Sequence, residues 1–258
     1  MPGNSGTQVI TRVCCILRSF DRANPVLSLA ELAKKNHLHP TTAFRILQAL
    51  VDEGFLMQDS ESTKYSLGYE WVKMGELAKQ GNALLKIVQP FAEKLAQISG
   101  ESITIEVLKR NQWVDTLLFI PSSYRITEQP PHGIMPANCT ATGKVQLAYL
   151  PEDQLEIVLA GKLEALTANT ITDPVRLKAE LVRIRDQGYA IAQEELELGY
   201  VAVAAPIFDI NGHVLAGISV GGPTTRMTKE RILETAASVI AIARAVSKKL
   251  GCRESSPR

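Results

Sequence analysis

The chain has 258 residues, 45% of them apolar and 21% charged, with a formal net charge of +1. That length suits one large domain or two ordinary ones, and the composition is globular, which excludes a disordered chain or a fibre. No run approaches the roughly 18 apolar residues of a membrane span, and the opening stretch MPGNSGTQVITR lacks the basic-then-apolar pattern of a signal peptide, so a cytoplasmic chain with no membrane partner is expected.

Four cysteines, Cys14, Cys15, Cys139 and Cys252, show no Cys-x-x-Cys spacing. Neither a zinc site nor a disulfide framework is implied, and reduced thiols without a metal or cofactor are expected. Residues 1–51 carry Arg12, Arg18, Arg22, Lys34, Lys35 and Arg45 against only Asp21 and Glu31, a modest basic excess compatible with phosphate contacts.

The first segment, VITRVCCILRSF, spaces Val9, Val13, Ile16, Leu17 and Phe20 as on a helix, and DRANP breaks it with turn formers. Ser28 then caps LAELAKKN, with Glu31 at the third helical position in the capping-box arrangement. After the short turn NHLH comes HPTTAFRILQALVDEGFL. Pro40 suits a first helical position, Gly54 can take the left-handed conformation that stops a helix, and the helix between them is about 14 residues long. At about 100° per residue, Ala43, Ile46, Leu47 and Leu50 gather on one side and Thr41, Arg45, Gln48 and Asp52 on the other. Two helices across so short a connection form a helix-turn-helix, and the second of them is the reader.

Beyond Gly54, Phe55, Met57, Tyr65 and Leu67 bracket the polar stretch Asp59 to Lys64, a β-hairpin pattern. Three helices and a hairpin make a winged helix-turn-helix, which gives the outward face of the second helix a major groove to enter. The candidate DNA contacts are the hydroxyls of Ser28, Thr41 and Thr42, the Arg45 guanidinium for a guanine edge, Gln48 as a weaker base contact, and Lys64 in the wing. For Lys64 a solubilising charge is as good a reading as a phosphate contact, since Asp59 and Glu61 stand beside it.

YEWVKMGELAKQGNALLKIVQPFAEKLAQISGE returns to helical spacing, with a break at Gly81-Asn82 and a stop at Gly100. Its first half reads as a linker helix whose Trp71, Met74 and Leu77 pack against a second subunit, because a palindromic site needs two copies at a fixed separation. From residue 101 the pattern changes. SITIEVLK and WVDTLLFI are strand-like and are followed by a Pro-rich loop; TATGKVQLAYL, PEDQLEIVLA and DPVRLKAELVRIRDQG open helices. YAIAQEE, YVAVAAPIFD and HVLAGISVGG return as strands, the last two joined through Asn211-Gly212, and a long helix ends the chain. Strands with helices mixed between them make an α+β sensor-like domain. The expected division is a DNA-binding domain over 1–68, a linker helix over 69–81 and an effector-binding domain over 82–258.

LSLAELAKKNHLHPTTAFRILQALVDEGFL, NCTATGKVQLAYL and QEELELGYVAVAAPIFDINGHVLAGISVGGP, with the terminal helix, occur in the order of one family: the chain resembles an IclR-type transcriptional regulator from about residue 8 to residue 250. The resemblance implies a winged helix that dimerises on operator DNA, with a tetramer left open. It also implies a GAF-like mixed α/β domain that binds a small organic acid or related metabolite and changes operator occupancy. By that resemblance Ala141, Thr142 and Gly143 let backbone amides approach a ligand carboxylate at a helix start. The other polar contacts come from the strand at ELELGYVAVAAP and from Ser219 and Gly221. Where family members often carry an aspartate and a cysteine, this chain has Ala192 and Ala202, which makes that side less polar. Met135 and Tyr200 line an apolar portion of the ligand or belong to the core.

Two other readings stay open on residues alone. Cys139, at a helix start, can have a lowered pKa and act as a nucleophile with His132 or His213 as base, which makes the second domain a thiol-dependent enzyme. Alternatively the pocket is empty and the chain acts through protein contacts. ATGK fails as a phosphate loop, since Val145 follows the lysine. Glu194 and Glu195, adjacent on a strand, are expected to point to opposite faces, solvated or capping.

Overall fold

The computed structural model describes residues 5–21, 23–124 and 134–252, and the chain divides into two compact units, Met1–Asn82 and Ala83–Arg258. In the first unit, α1 (Ser5–Leu17), α2 (Leu29–Lys35) and α3 (Pro40–Asp52) precede a small antiparallel sheet of β1 (Val26–Leu27), β2 (Leu56–Gln58) and β3 (Tyr65–Leu67), and α4 (Glu70–Gly81) follows. Ile16, Leu27, Leu32, Leu47, Leu50, Leu56 and Tyr65 form its core, so α1, α2 and α3 each contribute an apolar stripe to one cluster. Phe20, expected on the first helix, lies beyond its end and packs on this core from the turn. The sheet has three strands in the order β1-β3-β2, because Val26 and Leu27 pair with Ser66 and Tyr65. A two-residue strand carries no alternation, which is why the sequence showed only the hairpin.

The wing returns tightly onto the end of α3. Gly54 takes φ +75°, and a Cβ on Gly68 would lie 2.1 Å from the Gly54 carbonyl oxygen, so the two backbones touch and only glycine fits. Trp71 Nε1 then donates to the Phe55 carbonyl at 2.9 Å, with the two rings edge to face at 5.3 Å. Trp71 therefore packs on its own wing, whereas Met74 and Leu77 are exposed.

The second unit is built on a six-stranded antiparallel sheet in the order β6-β5-β4-β9-β8-β7, from β4 (Ser102–Lys109), β5 (Trp113–Ile120), β6 (Ile134–Pro136), β7 (Ala190–Gln193), β8 (Tyr200–Phe208) and β9 (Val214–Pro223). Alternation assigns the two faces. Ile103, Ile105, Val203, Ile218 and Val220 point toward α5 (Ala83–Ser99) and α9 (Lys229–Lys249), packing on Val88, Leu95, Val239 and Val246. The opposite face meets α6 (Ala141–Leu147), α7 (Glu152–Ala160) and α8 (Pro174–Gln187), where Ala190, Ala192 and Ala204 pack on Val145, Leu177, Leu181 and Ile184. Small residues on that face let α6 approach closely: a Cβ on Gly217 would lie 2.9 Å from Thr142 Cβ. No helix among the described residues is long and apolar enough to cross a membrane.

Candidate nucleic-acid interface and effector site

Helix α3, the expected reader, is started by His39, whose Nδ1 accepts from the Thr41 amide at 3.4 Å, and by Pro40 in its first turn. Ala43, Leu47 and Leu50 face the core. Thr41 and Arg45 are exposed, and Thr42 and Gln48 are half-buried. Gln48 Nε2 donates to Asp52 Oδ1 at 3.0 Å, one turn further along the helix. Arg45 thus stands on the outward face as a fork-shaped donor next to hydroxyl and amide groups, the chemistry that reads guanine edges and phosphates. Phe44, absent from the sequence reading, shares this face and is exposed.

Ser28 closes the capping box: its Oγ accepts from the Glu31 amide at 3.3 Å and donates to Glu31 Oε2 at 2.7 Å. The Ser28 amide, which donates to Glu31 Oε2 at 2.8 Å, and then the Ser28 hydroxyl hold the Glu31 carboxyl below its ordinary range, with a smaller contribution from Lys64. The Ser28 hydroxyl is thereby committed to the helix start, and Lys64 lies within the field of an acid. In the wing turn Asp59 accepts from the Ser62 amide and hydroxyl at 2.7 Å each, and Thr63 takes φ +55°.

In the second unit, the strand SITIEVLK carries a row of polar side chains on the face toward α6. Ser102, Thr104 and Glu106 alternate along β4, and Thr104 and Ser102 stand in register with Ser219 and Gly221 of β9. Thr104 Oγ1 and Ser219 Oγ share a hydrogen bond at 2.5 Å. Ser102 Oγ donates to the Gly221 carbonyl at 2.7 Å and lies 3.0 Å from the Tyr200 hydroxyl. A Cβ on Gly221 would fall 2.1 Å from that hydroxyl, so the glycine makes room for the ring. Glu106 accepts from Thr142 Oγ1 and, at 3.2 Å, from Thr116 Oγ1, and burial pushes its carboxyl above the ordinary value. Thr104, Thr116, Met135, Tyr200 and Ala202 are only half-buried, so this face is partly open.

Of the expected effector residues, Thr142, Tyr200, Ser219 and Gly221 come together on this row. Ala141 and Gly143 are both buried; the Gly143 amide donates to Thr140 Oγ1 at 3.0 Å, and a Cβ on Gly143 would lie 2.2 Å from the Ala137 carbonyl oxygen. The glycine serves close packing against the 3₁₀ turn Ala137–Cys139. Ala192 is buried in the helix-facing cluster. Ser102, Thr104, Glu106 and Thr116 were missed, although the period-2 polar positions in SITIEVLK mark the first three; Thr116 lies on WVDTLLFI and joins the row only through the register of β5 with β4.

Glu195 is likewise not a solvated residue. It follows the end of β7, and its Oε1 accepts from Lys144 Nζ at 2.5 Å; the lysine is fully buried and also donates to the Ile191 carbonyl at 2.7 Å. Cys139 is fully buried with its Sγ 3.4 Å from the Glu164 carbonyl oxygen, and burial, with Glu195 and Glu164, pushes the thiol up to about 12. That is opposite to the lowered pKa a nucleophile needs. His213 is exposed on the β8–β9 turn beside Asp209, and His132 lies outside the described residues. No group of three His, Cys, Asp or Glu able to hold a metal occurs among the described residues. A groove of about 520 Å³ lies between α7 and α8, away from the polar row, lined by Leu159, Pro174, Val175 and Val182 with the Lys178–Glu156 pair at its edge.

A winged helix-turn-helix carried with a sheet-and-helix unit of this topology defines a class of DNA-binding regulators. The chain matches the IclR helix-turn-helix domain over residues 9–60 and the bacterial transcriptional regulator IclR C-terminal domain over residues 78–248. It is 32% identical to the transcriptional repressor IclR of Escherichia coli (strain K12), over 95% of this chain and 91% of that one. The crystal structure of an IclR transcriptional regulator from Alicyclobacillus acidocaldarius superposes with a TM-score of 0.87 at 26% identity, over 95% of this chain and 99% of that one. An IclR homolog from Microbacterium hydrocarbonoxydans, solved in complex with 4-hydroxybenzoate, shares the fold with a TM-score of 0.82 at 24% identity, over 94% and 98% of the two chains. The chain belongs to the IclR family of DNA-binding transcriptional regulators.

Proposed function

We propose that this regulator acts in the cytoplasm as a homodimer, in which two copies of α3 read a palindromic operator in double-stranded DNA and the second unit binds a small organic acid or related metabolite that modulates operator occupancy. The reading is carried by the outward face of α3, where Thr41, Arg45 and Gln48 line up as phosphate and base contacts over a buried apolar stripe. For the effector, support comes from the row of Ser102, Thr104, Thr142, Tyr200 and Ser219, whose hydroxyls converge on one partly open sheet face. A regulator of the same fold holds 4-hydroxybenzoate, a ligand of that size and chemistry. Ala202 and Met135 on the same face favour a ligand with an apolar portion.

The test is titration of the purified chain onto DNA from its own promoter at several salt concentrations, with and without candidate acids. Saturable, salt-sensitive binding that depends on the palindrome and that an acid shifts is the expected result. Binding indifferent to the palindrome and to every acid would contradict it.

A further inference from the structure

Phe44 is 46% exposed on α3, while Ala43 and Leu47 on the core side are fully buried. Among the described residues of that helix it is the one large apolar side chain turned so far outward. It stands three residues after Thr41 and four before Gln48, so the three share one stripe, with Arg45 beside it. A protein-docking patch gathers contiguous apolar residues; here the ring stands alone among a hydroxyl, an amide and a guanidinium. In the major groove the apolar group that a base edge offers is the C5 methyl of thymine.

We infer that Phe44 is a specificity-determining residue that covers a thymine methyl in each half of the operator. The inference rests on the DNA-reading role of α3 given above. It implies that the half-site contains a thymine within a few base pairs of the position read by Arg45, and that the preference there is for the methyl itself rather than for the hydrogen-bonding edge.

The test uses the full chain and sites enriched by it from random double-stranded DNA. Each thymine is replaced by uracil, which removes only the methyl group. The expected result is one thymine per half-site at which uracil weakens binding about fourfold, the value of one buried methyl-sized group. Phe44→Ala should bind the thymine and uracil sites alike, and Phe44→Leu should keep the preference. Because the ring is exposed, both variants should melt as the parent does. Uracil tolerated at every thymine, a site with no thymine preference, or a preference that survives in Phe44→Ala would overturn the inference. If a site is enriched and Arg45→Ala abolishes it while uracil is neutral, the reader role stands and only the Phe44 assignment falls; if no sequence is enriched, both fall.

Discussion

Lys144 and Glu195 form an interior ion pair: the lysine Nζ reaches the carboxylate Oε1 at 2.5 Å with the lysine side chain fully buried and that of Glu195 9% exposed. The second carboxylate oxygen is buried and without a hydrogen-bond partner among the described residues. The pair ties α6 to the segment between β7 and β8, the two elements that flank the polar row. Its value is positional, since desolvating two charges offsets much of their attraction.

Removing one partner leaves the other charge stranded. Lys144→Met should lower the stability of the second unit by about 3 kcal/mol in denaturant unfolding, and adding Glu195→Gln should recover part of the loss. Equal stability for the single and double variants would contradict the interior pair.

The two glycines that frame the row should respond differently. An alanine at Gly143 meets the Ala137 backbone, so Gly143→Ala should cost about 1–3 kcal/mol of stability. At Gly221 the obstacle is the far end of the Tyr200 side chain, which can move. Gly221→Ala should therefore fold nearly as well as the parent but lose the Ser102–Tyr200 contact and weaken effector binding, read by calorimetric titration of the acid identified in the promoter assay.

Glu106 supplies a pH signature. Its carboxyl is raised above 4.5 by burial, against the pull of the Thr142 and Thr116 hydroxyls, with Asp115 adding to the rise. A carboxyl raised in the folded state supports folding fully below pH 4.5 and loses that contribution as pH climbs through its folded value. Stability of the parent relative to Glu106→Gln should fall as pH rises above 4.5. A difference that is flat, or that grows with pH, would mean that the carboxylate is stabilised in place.

The cysteines should separate by reactivity. Cys15 is exposed, whereas Cys139 is buried with its thiol near 12. Brief alkylation of the native chain at pH 8 should label Cys15 and spare Cys139, and Cys139→Ser should leave DNA binding unchanged. Rapid labelling of Cys139 would contradict its burial and raised pKa and favour the thiol chemistry.

Most of the architecture was legible because it is periodic. The cap at Ser28, the stops at Gly54 and Gly100, and the strands SITIEVLK and WVDTLLFI were all readable from local signals. The missing pieces depend on contacts across the fold. Val26–Leu27 is a strand only because β3 lies beside it. Lys144 and Glu195 are 51 positions apart, and neither carries a local mark of burial. Thr142, at a helix start, bonds through its hydroxyl to Glu106 on a strand 36 residues earlier, a contact that no local signal announces. Phe44 was hidden for a different reason: a single aromatic on an amphipathic helix reads as core until its exposure is known.

The central claim is that α3 reads DNA through its outward face, and the most direct measurement is the sequence preference of Arg45→Ala beside that of the parent chain, selected from the same random library. The account predicts that the variant folds, loses about tenfold to hundredfold in affinity for the parent's site, and becomes indifferent to one base pair in each half-site. An Arg45→Ala profile that matches the parent in both affinity and preference would contradict it.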